Sequence, residues 1–391
     1  MGRDWWERHR LWLVGLVVVL LPFQFRTALP FRLAPADLVL ACCLALGFRH
    51  LRFPPSAWSP WHRGLPLVFG MGLVVALMRT GEVIPYALWQ KGAGLLVLLA
   101  LYAVVVDVAV DWATVRRLLL LFVLGTVFAN LVAMTGFLAS LAGGLGNRRL
   151  AGFLVDPNAH GSLLVVALSI QLLTWLSSRR LVRGVPGVLC MVTLGAGLLL
   201  TISRSAWAGA LVAVAVGAII DPRLLLIAGL IASPAALALA CTPGYLQLVM
   251  ARLPLILDRV EIVEEAAAQI ALNPMFGAGL GVFHATSRVG KIVHNTLLWS
   301  LTEFGLIGLA VFCGFLGWFV VAALRAAKRA PGAERELVLA MAAAHLAMLA
   351  VSMGIEALYQ RHWWLVMALI GASHTLASSP RAAPGGSSPP S

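Results

Sequence analysis

About twelve apolar stretches, most of them near the roughly 20 residues that a helix needs to cross a bilayer, dominate the chain and restrict what it can fold into. They cover 10–25, 33–48, 64–79, 88–108, 116–141, 159–177, 184–202, 205–220, 223–241, 295–324, 336–355 and 362–378, with only "DPR" between the eighth and ninth. Inside hydrocarbon every backbone N–H and C=O must be bonded within the protein, so such runs become helices. The sequence is 61% hydrophobic and 12% charged, and its mean hydropathy of +0.92 lies outside the soluble range. The expectation is an all-α integral membrane protein with about twelve transmembrane helices, built as one polytopic domain over residues 1–378. Residues 379–391, rich in Pro, Gly and Ser, read as a disordered tail. The first run follows "MGRDWWERHR" without a small-residue cleavage site and reads as a retained anchor.

With the N-terminus cytoplasmic, more than half of the 29 lysines and arginines fall on the inner side, which is the sign the positive-inside rule requires. The bias is weak, because the outer face keeps Arg26, Arg32, Arg79, Lys91, Arg148, Arg149, Arg204, Arg252, Arg259, Arg288, Lys291 and Arg361. Outer acids are fewer, with Glu356 among them. An arginine-rich mouth suits an anionic ligand, phosphate above all; for any one arginine, snorkelling to lipid headgroups is an equal alternative. The cysteines show neither metal-ligand spacing nor a disulfide framework.

The longest loop, 242–293, lies outside between the ninth and tenth spans under this topology. Within it "LDRVEIVEEAAAQIALNP" reads as an amphipathic helix with Ile256, Val260, Val263, Ala267 and Ile270 on its apolar face, lying along the membrane surface. "GAGLG", Gly277 to Gly281, is no dinucleotide fingerprint, since no strand precedes it; its amides could meet a phosphate, although a turn is the simpler reading.

The run from "KIVHN" begins a helix on which Thr296, Ser300 and Glu303 share one face, a polar stripe directed into the bundle. Glu303 reads as a buried partner for an arginine or a hydroxyl. If the helix is regular, His294 lies about 13 Å from Glu303 along the axis and half a turn around it. It sits at the helix start, where the dipole favours a neutral base; a structural histidine at a helix end is the other reading. Gly305 and Gly308 would let a neighbouring helix approach. In "NRRLAGFLVDPNAHGS", Asp156 and Asn158 read as helix caps with Pro157 at the first position, which explains Asp156 more simply than a metal shared with His160. Arg204, at the junction of two apolar runs, needs Glu303, Glu356 or a ligand phosphate as partner.

The segments "RLAGFLVDPN", "SRSA", "NPMFGAGLG" and "HN" followed by "GLIG", together with the long outer loop, resemble the O-antigen ligase and polymerase family. The resemblance implies a glycosyltransferase of the bacterial inner membrane, acting at its periplasmic face. Such enzymes move a preassembled glycan from undecaprenyl diphosphate to a hydroxyl of lipid A-core, in ligases, or of another lipid-linked repeat, in polymerases. It implies catalytic roles for His294, Arg204 and Arg259. Arg252 is an alternative to Arg259, because Val263 stands where ligases often carry leucine. Arg148, Arg149, Arg252, Arg288, Lys291 and Asn295 are expected to bind diphosphate or glycan, with Glu303, Asp156 and Asn158 as structural support. The chemistry agrees, since a donor outside the cytoplasm must carry its own leaving group. Arginines would hold the diphosphate while His294 takes the acceptor proton, and direct displacement inverts the anomeric carbon. No paired-carboxylate or DxD-like site is evident, so no metal or cofactor is expected. Nucleic acid is not an expected partner. A transporter or flippase of anionic lipid-linked sugars is the alternative of another class, disfavoured because the charges gather at one face rather than near the midplane.

Overall fold

The computed structural model describes residues 3–24, 34–142, 149–154, 156–177, 180–241, 245–250, 257–288 and 292–379; for 3, 141–142, 235, 238–239, 246, 248 and 257–259 it describes the backbone alone. The expected tail therefore lies outside the described residues, save Ser379. Among them the fold is all helical, without strands.

Each of the twelve apolar runs forms a helix. The first five are α1 (Arg3–Leu20), α2 (Pro35–Gly47), α3 (Pro60–Thr80), α4 (Ala93–Val108) and α5 (Trp112–Ala142), with a π-helical turn, Tyr86–Gly92, leading into α4. Then come α6 (Pro157–Leu173), α7 (Gly184–Leu200), α8 (Arg204–Ile220) and α9 (Arg223–Ala240). The long loop holds α10 (Tyr245–Met250), α11 (Leu257–Leu272) and α12 (Val282–Thr286), and the chain closes with α13 (Thr296–Arg329), α14 (Gly332–Ser352) and α15 (Arg361–Ser378). Among the described residues, five segments are long and apolar enough to cross a membrane: Pro60–Thr80, Tyr86–Val108, Trp112–Ser140, Thr296–Arg329 and Gly332–Ser352. Several shorter apolar helices, α6 to α8 among them, accompany these.

Two runs differ from simple spans. Pro35 starts α2 and a 3₁₀ turn, Phe48–His50, follows it, so the helix extends only about 20 Å of the roughly 30 Å a hydrocarbon core demands. In α15, every residue from His362 to Ser373 is buried, which makes it an internal helix enclosed by α4, α13 and α14.

Small side chains let the helices meet. Ala340, Ala343, Ala344 and Ala347 of α14 are fully buried, where α14 packs on α6, α8 and α13. A Cβ on Gly209 of α8 would lie 2.9 Å from the Ala347 carbonyl, a distance that only glycine relieves. On the outside, α3, α5 and α13 present Leu67, Met78, Phe128, Leu131, Val321 and Leu324, the apolar exterior that lipid-facing helices need.

The loop helix α11 forms as expected but turns a different face inward. Ile262 and Ala266 are buried, whereas Val260 and Val263 are 46% and 48% exposed. Polar bonds decide the rotation: Glu265 accepts from Ser287 Oγ at 2.8 Å and from the Arg288 amide at 3.1 Å, and Gln269 donates to Thr286 Oγ1 at 3.1 Å. These tie α11 to the end of α12, a preference that the spacing of apolar residues does not contain.

Candidate functional site

The site begins with a break in α13. Gly305 adopts φ 65°, ψ −162° inside the helix, a region essentially restricted to glycine. The break frees the carbonyls of Thr302 and Glu303 and the amides of Leu306 and Ile307. The loop 274–281 meets all four. The Ala278 and Gly279 amides donate to Thr302 O and Glu303 O at 2.8 and 3.0 Å, while Leu306 and Ile307 donate to Pro274 O and Met275 O at 2.8 and 3.3 Å. Leu280 donates to Gly72 O of α3 at 2.9 Å, and the Gly281 amide donates to the Glu303 carboxylate at 3.1 Å. Gly277, Gly279 and Gly281 all have positive φ, 74°, 102° and 80°, so the glycines serve a threaded latch. With the amides of 277 to 281 bonded within the protein, they present no cradle to a phosphate.

Two expectations are corrected here. The partner of Glu303 is a backbone amide rather than an arginine or hydroxyl. The neighbour that Gly305 admits is loop backbone rather than a helix, and Gly308 faces the Phe304 ring of its own helix. The helix starts at Thr296, two residues after His294, and Thr296, Ser300 and Glu303 form the expected buried stripe.

Next to the latch, at one end of the bundle, lies a cavity of about 710 Å³. The segment around His294, the starts of α2, α4, α6 and α15, and the turn 353–360 surround it. Thr296 anchors that turn by donating to Ile355 O at 3.1 Å and accepting from the Ala357 amide at 2.9 Å. His294 lines the cavity, half-buried, immediately before the cap of α13. The cap is Asn295, a residue expected to bind substrate, whose side-chain oxygen accepts from the amides of Leu297 and Leu298, both at 3.0 Å.

Asp156 and Asn158 also line the cavity. Asp156 caps α6, accepting from the amides of Asn158 and Ala159 at 2.6 and 3.1 Å, as expected. Asn158 is a hub rather than a cap: its side-chain oxygen accepts from Arg149 Nη2 at 2.8 Å and Ser203 Oγ at 3.0 Å. Arg149 also donates to Thr201 O at 2.7 Å, so it links α6 to the junction of α7 and α8. Arg204 follows Ser203 at the start of α8 and is exposed; Glu303 and Glu356, the acids suggested for it, are engaged elsewhere. Arg288 is exposed beyond α12. Arg259 lies in the first turn of α11, where the backbone alone is described, and Arg148, Arg252 and Lys291 lie outside the described residues. His160 bonds Asn130 at 3.1 Å. Among the described residues no three His, Cys, Asp or Glu side chains converge as metal ligands.

Sequence reasoning missed the pairing of the charges that line the cavity. Lys91 pairs with Glu356 and packs against Tyr359, 4.5 Å from the ring centre. Arg361 meets Asp37 through both ends of its fork, at 2.8 and 2.5 Å. Lys91 and Arg361 stand among the outer cations and Glu356 among the outer acids in the sequence, but nothing there pairs them. Burial, with the Glu356 and Glu303 carboxylates nearby, pushes the Tyr359 phenol well above its ordinary range, so it remains a neutral donor to Lys91 O at 3.1 Å.

A bundle of apolar helices, with a long loop latched into a broken helix beside a cavity lined by paired charges, is the architecture of an integral membrane protein. Residues 189–313 match the family model for O-antigen ligase and carry that family's domain. The matched stretch runs from α7 through the latch to α13, about a third of the chain, and contains Arg204, Arg259 and His294. No curated protein matches the chain.

Proposed function

We propose that the protein is an O-antigen ligase of the bacterial inner membrane, with its cavity facing the periplasm and all twelve apolar helices within the membrane domain. It transfers a preassembled glycan from undecaprenyl diphosphate to a hydroxyl of lipid A-core. The observation that carries this reading is that the family domain includes the segment placing His294 on the cavity. The acceptor oxygen attacks the anomeric carbon as its proton passes to His294. The bond from that carbon to the diphosphate oxygen breaks, the electron pair leaves on undecaprenyl diphosphate, and the carbon inverts. Arg149 and Arg204 bind the diphosphate near the starts of α6 and α8, whose dipoles favour an anion, and Arg259 of the loop helix assists them. The step needs no metal or cofactor.

Reconstitution in liposomes with a polyprenyl-diphosphate-linked glycan and lipid A-core tests the proposal. Wild type should join glycan to the core, and His294→Ala should lose about 100-fold or more of the rate while staying folded. Undiminished transfer by the variant would remove the histidine from the chemistry. Glycan lengthening on its own carrier would make the protein a polymerase, and movement across the bilayer without a new bond would make it a transporter.

A further inference from the structure

The cations that line the cavity already have carboxylate partners. Among the described lining residues, Lys91 is paired with Glu356 and Arg361 with Asp37, and Asp156 adds a further carboxylate. Such a lining offers a diphosphate little, which moves the anion toward Arg149 and Arg204 at the Asn158 wall. The part of the lining that comes from the π-helical turn and the start of α4 is aromatic and amide. Tyr86, Trp89, Gln90, Ala93 and Gly94 all line the cavity at helical spacing. Trp89 is 49% exposed, and the Tyr86 and His284 rings lie 4.2 Å apart. His284 belongs to α12, whose start is held by the Gly281–Glu303 bond. Ala93 and Gly94 are small, and the Tyr359 ring packs over Gly94, where a Cβ would lie 3.1 Å from it.

A pyranose ring matches this wall. Its flat C–H face is apolar and slightly positive and stacks on an aromatic face, while its hydroxyls bond amides and carboxylates. We propose that Tyr86, Trp89, Gln90 and His284 form a saccharide subsite that stacks a pyranose ring of one of the two glycan substrates. The assignment of the ring to a substrate rests on the glycan-transfer reading; the subsite itself is a binding property.

The test uses the full chain in nanodiscs and saturation-transfer NMR with two probes: the oligosaccharide released by mild acid from the polyprenyl diphosphate donor, and delipidated core oligosaccharide. Ring C–H protons of one probe should saturate in wild type, and the responding probe identifies donor or acceptor. Trp89→Ala and Trp89→Leu should weaken that binding about 3–10-fold, and Trp89→Tyr should restore it. Thermal midpoints close to wild type would establish that the variants are folded. Wild-type binding by Trp89→Leu would mean that the indole only faces lipid, and silence of both probes with wild type would equally overturn the subsite. Binding through Trp89 without any glycan transfer by wild type would instead overturn the ligase reading and leave the subsite standing.

Discussion

Helices α5 and α13 have similar lengths, 31 and 34 residues, and both are strongly apolar, yet only one is continuous. In α5 the buried amide of Asn130 donates to Thr193 O at 2.8 Å and accepts from His160 Nε2 at 3.1 Å; neighbouring helices satisfy it and the backbone ladder of α5 stays whole. In α13 the ladder opens at Gly305, and a loop from outside the helix completes it. A polar side chain inside a membrane helix can be satisfied without cost to the ladder. Opening the ladder requires a second backbone with matching amides and carbonyls, and that backbone then carries its neighbouring residues, here His284 and the base of the cavity, to a fixed place.

The strongest way to break this arrangement is Gly305→Ala. The new Cβ would lie 2.6 Å from the Gly277 nitrogen, at a φ of 65° that L side chains rarely adopt. Strain and overpacking together should destabilise the protein by about 3–5 kcal/mol. Thermal unfolding followed by thiol-reactive dye checks this, because Cys43 and Cys190 are buried in the folded state. An unchanged midpoint would mean that the loop does not occupy the break.

A weaker blow falls on the same latch through Glu303. Replacing it with alanine leaves the buried Gly281 amide without its acceptor and should cost about 1–3 kcal/mol. Glu303→Gln retains an acceptor oxygen and should recover most of that loss. If glutamine is as damaging as alanine in the same assay, charge rather than the Gly281 bond is what the latch needs.

The comparison also marks what could be read in advance. The twelve helices were legible because hydrocarbon imposes one solution on each apolar run. The Asp156–Pro157 start of α6 was legible because capping is local. The break at Gly305 was hidden, since a glycine inside an apolar run signals close approach without saying by what. The charged lining was hidden for a different reason: Lys91 and Glu356 are 265 residues apart, and Asp37 and Arg361 are 324 apart, so packing of the whole bundle is needed to pair them. The face of α11 was misread because hydrogen bonds of Glu265 and Gln269, rather than apolar spacing, select its rotation.

The smallest effect belongs to the uninterrupted helix and has the opposite sign. Gly136 of α5 is exposed and a Cβ there meets nothing within 4 Å. Its conformational freedom in the unfolded chain is lost without any packing return, so Gly136→Ala should stabilise α5 by about 0.5–1 kcal/mol. The same chemical change, the addition of one methyl group, is thus expected to raise the unfolding midpoint at 136 and lower it at 305. A loss at 136 comparable to that at 305 would mean that α5 also receives a close neighbour at this position, and the contrast between a closed ladder and a shared one would no longer distinguish the two helices.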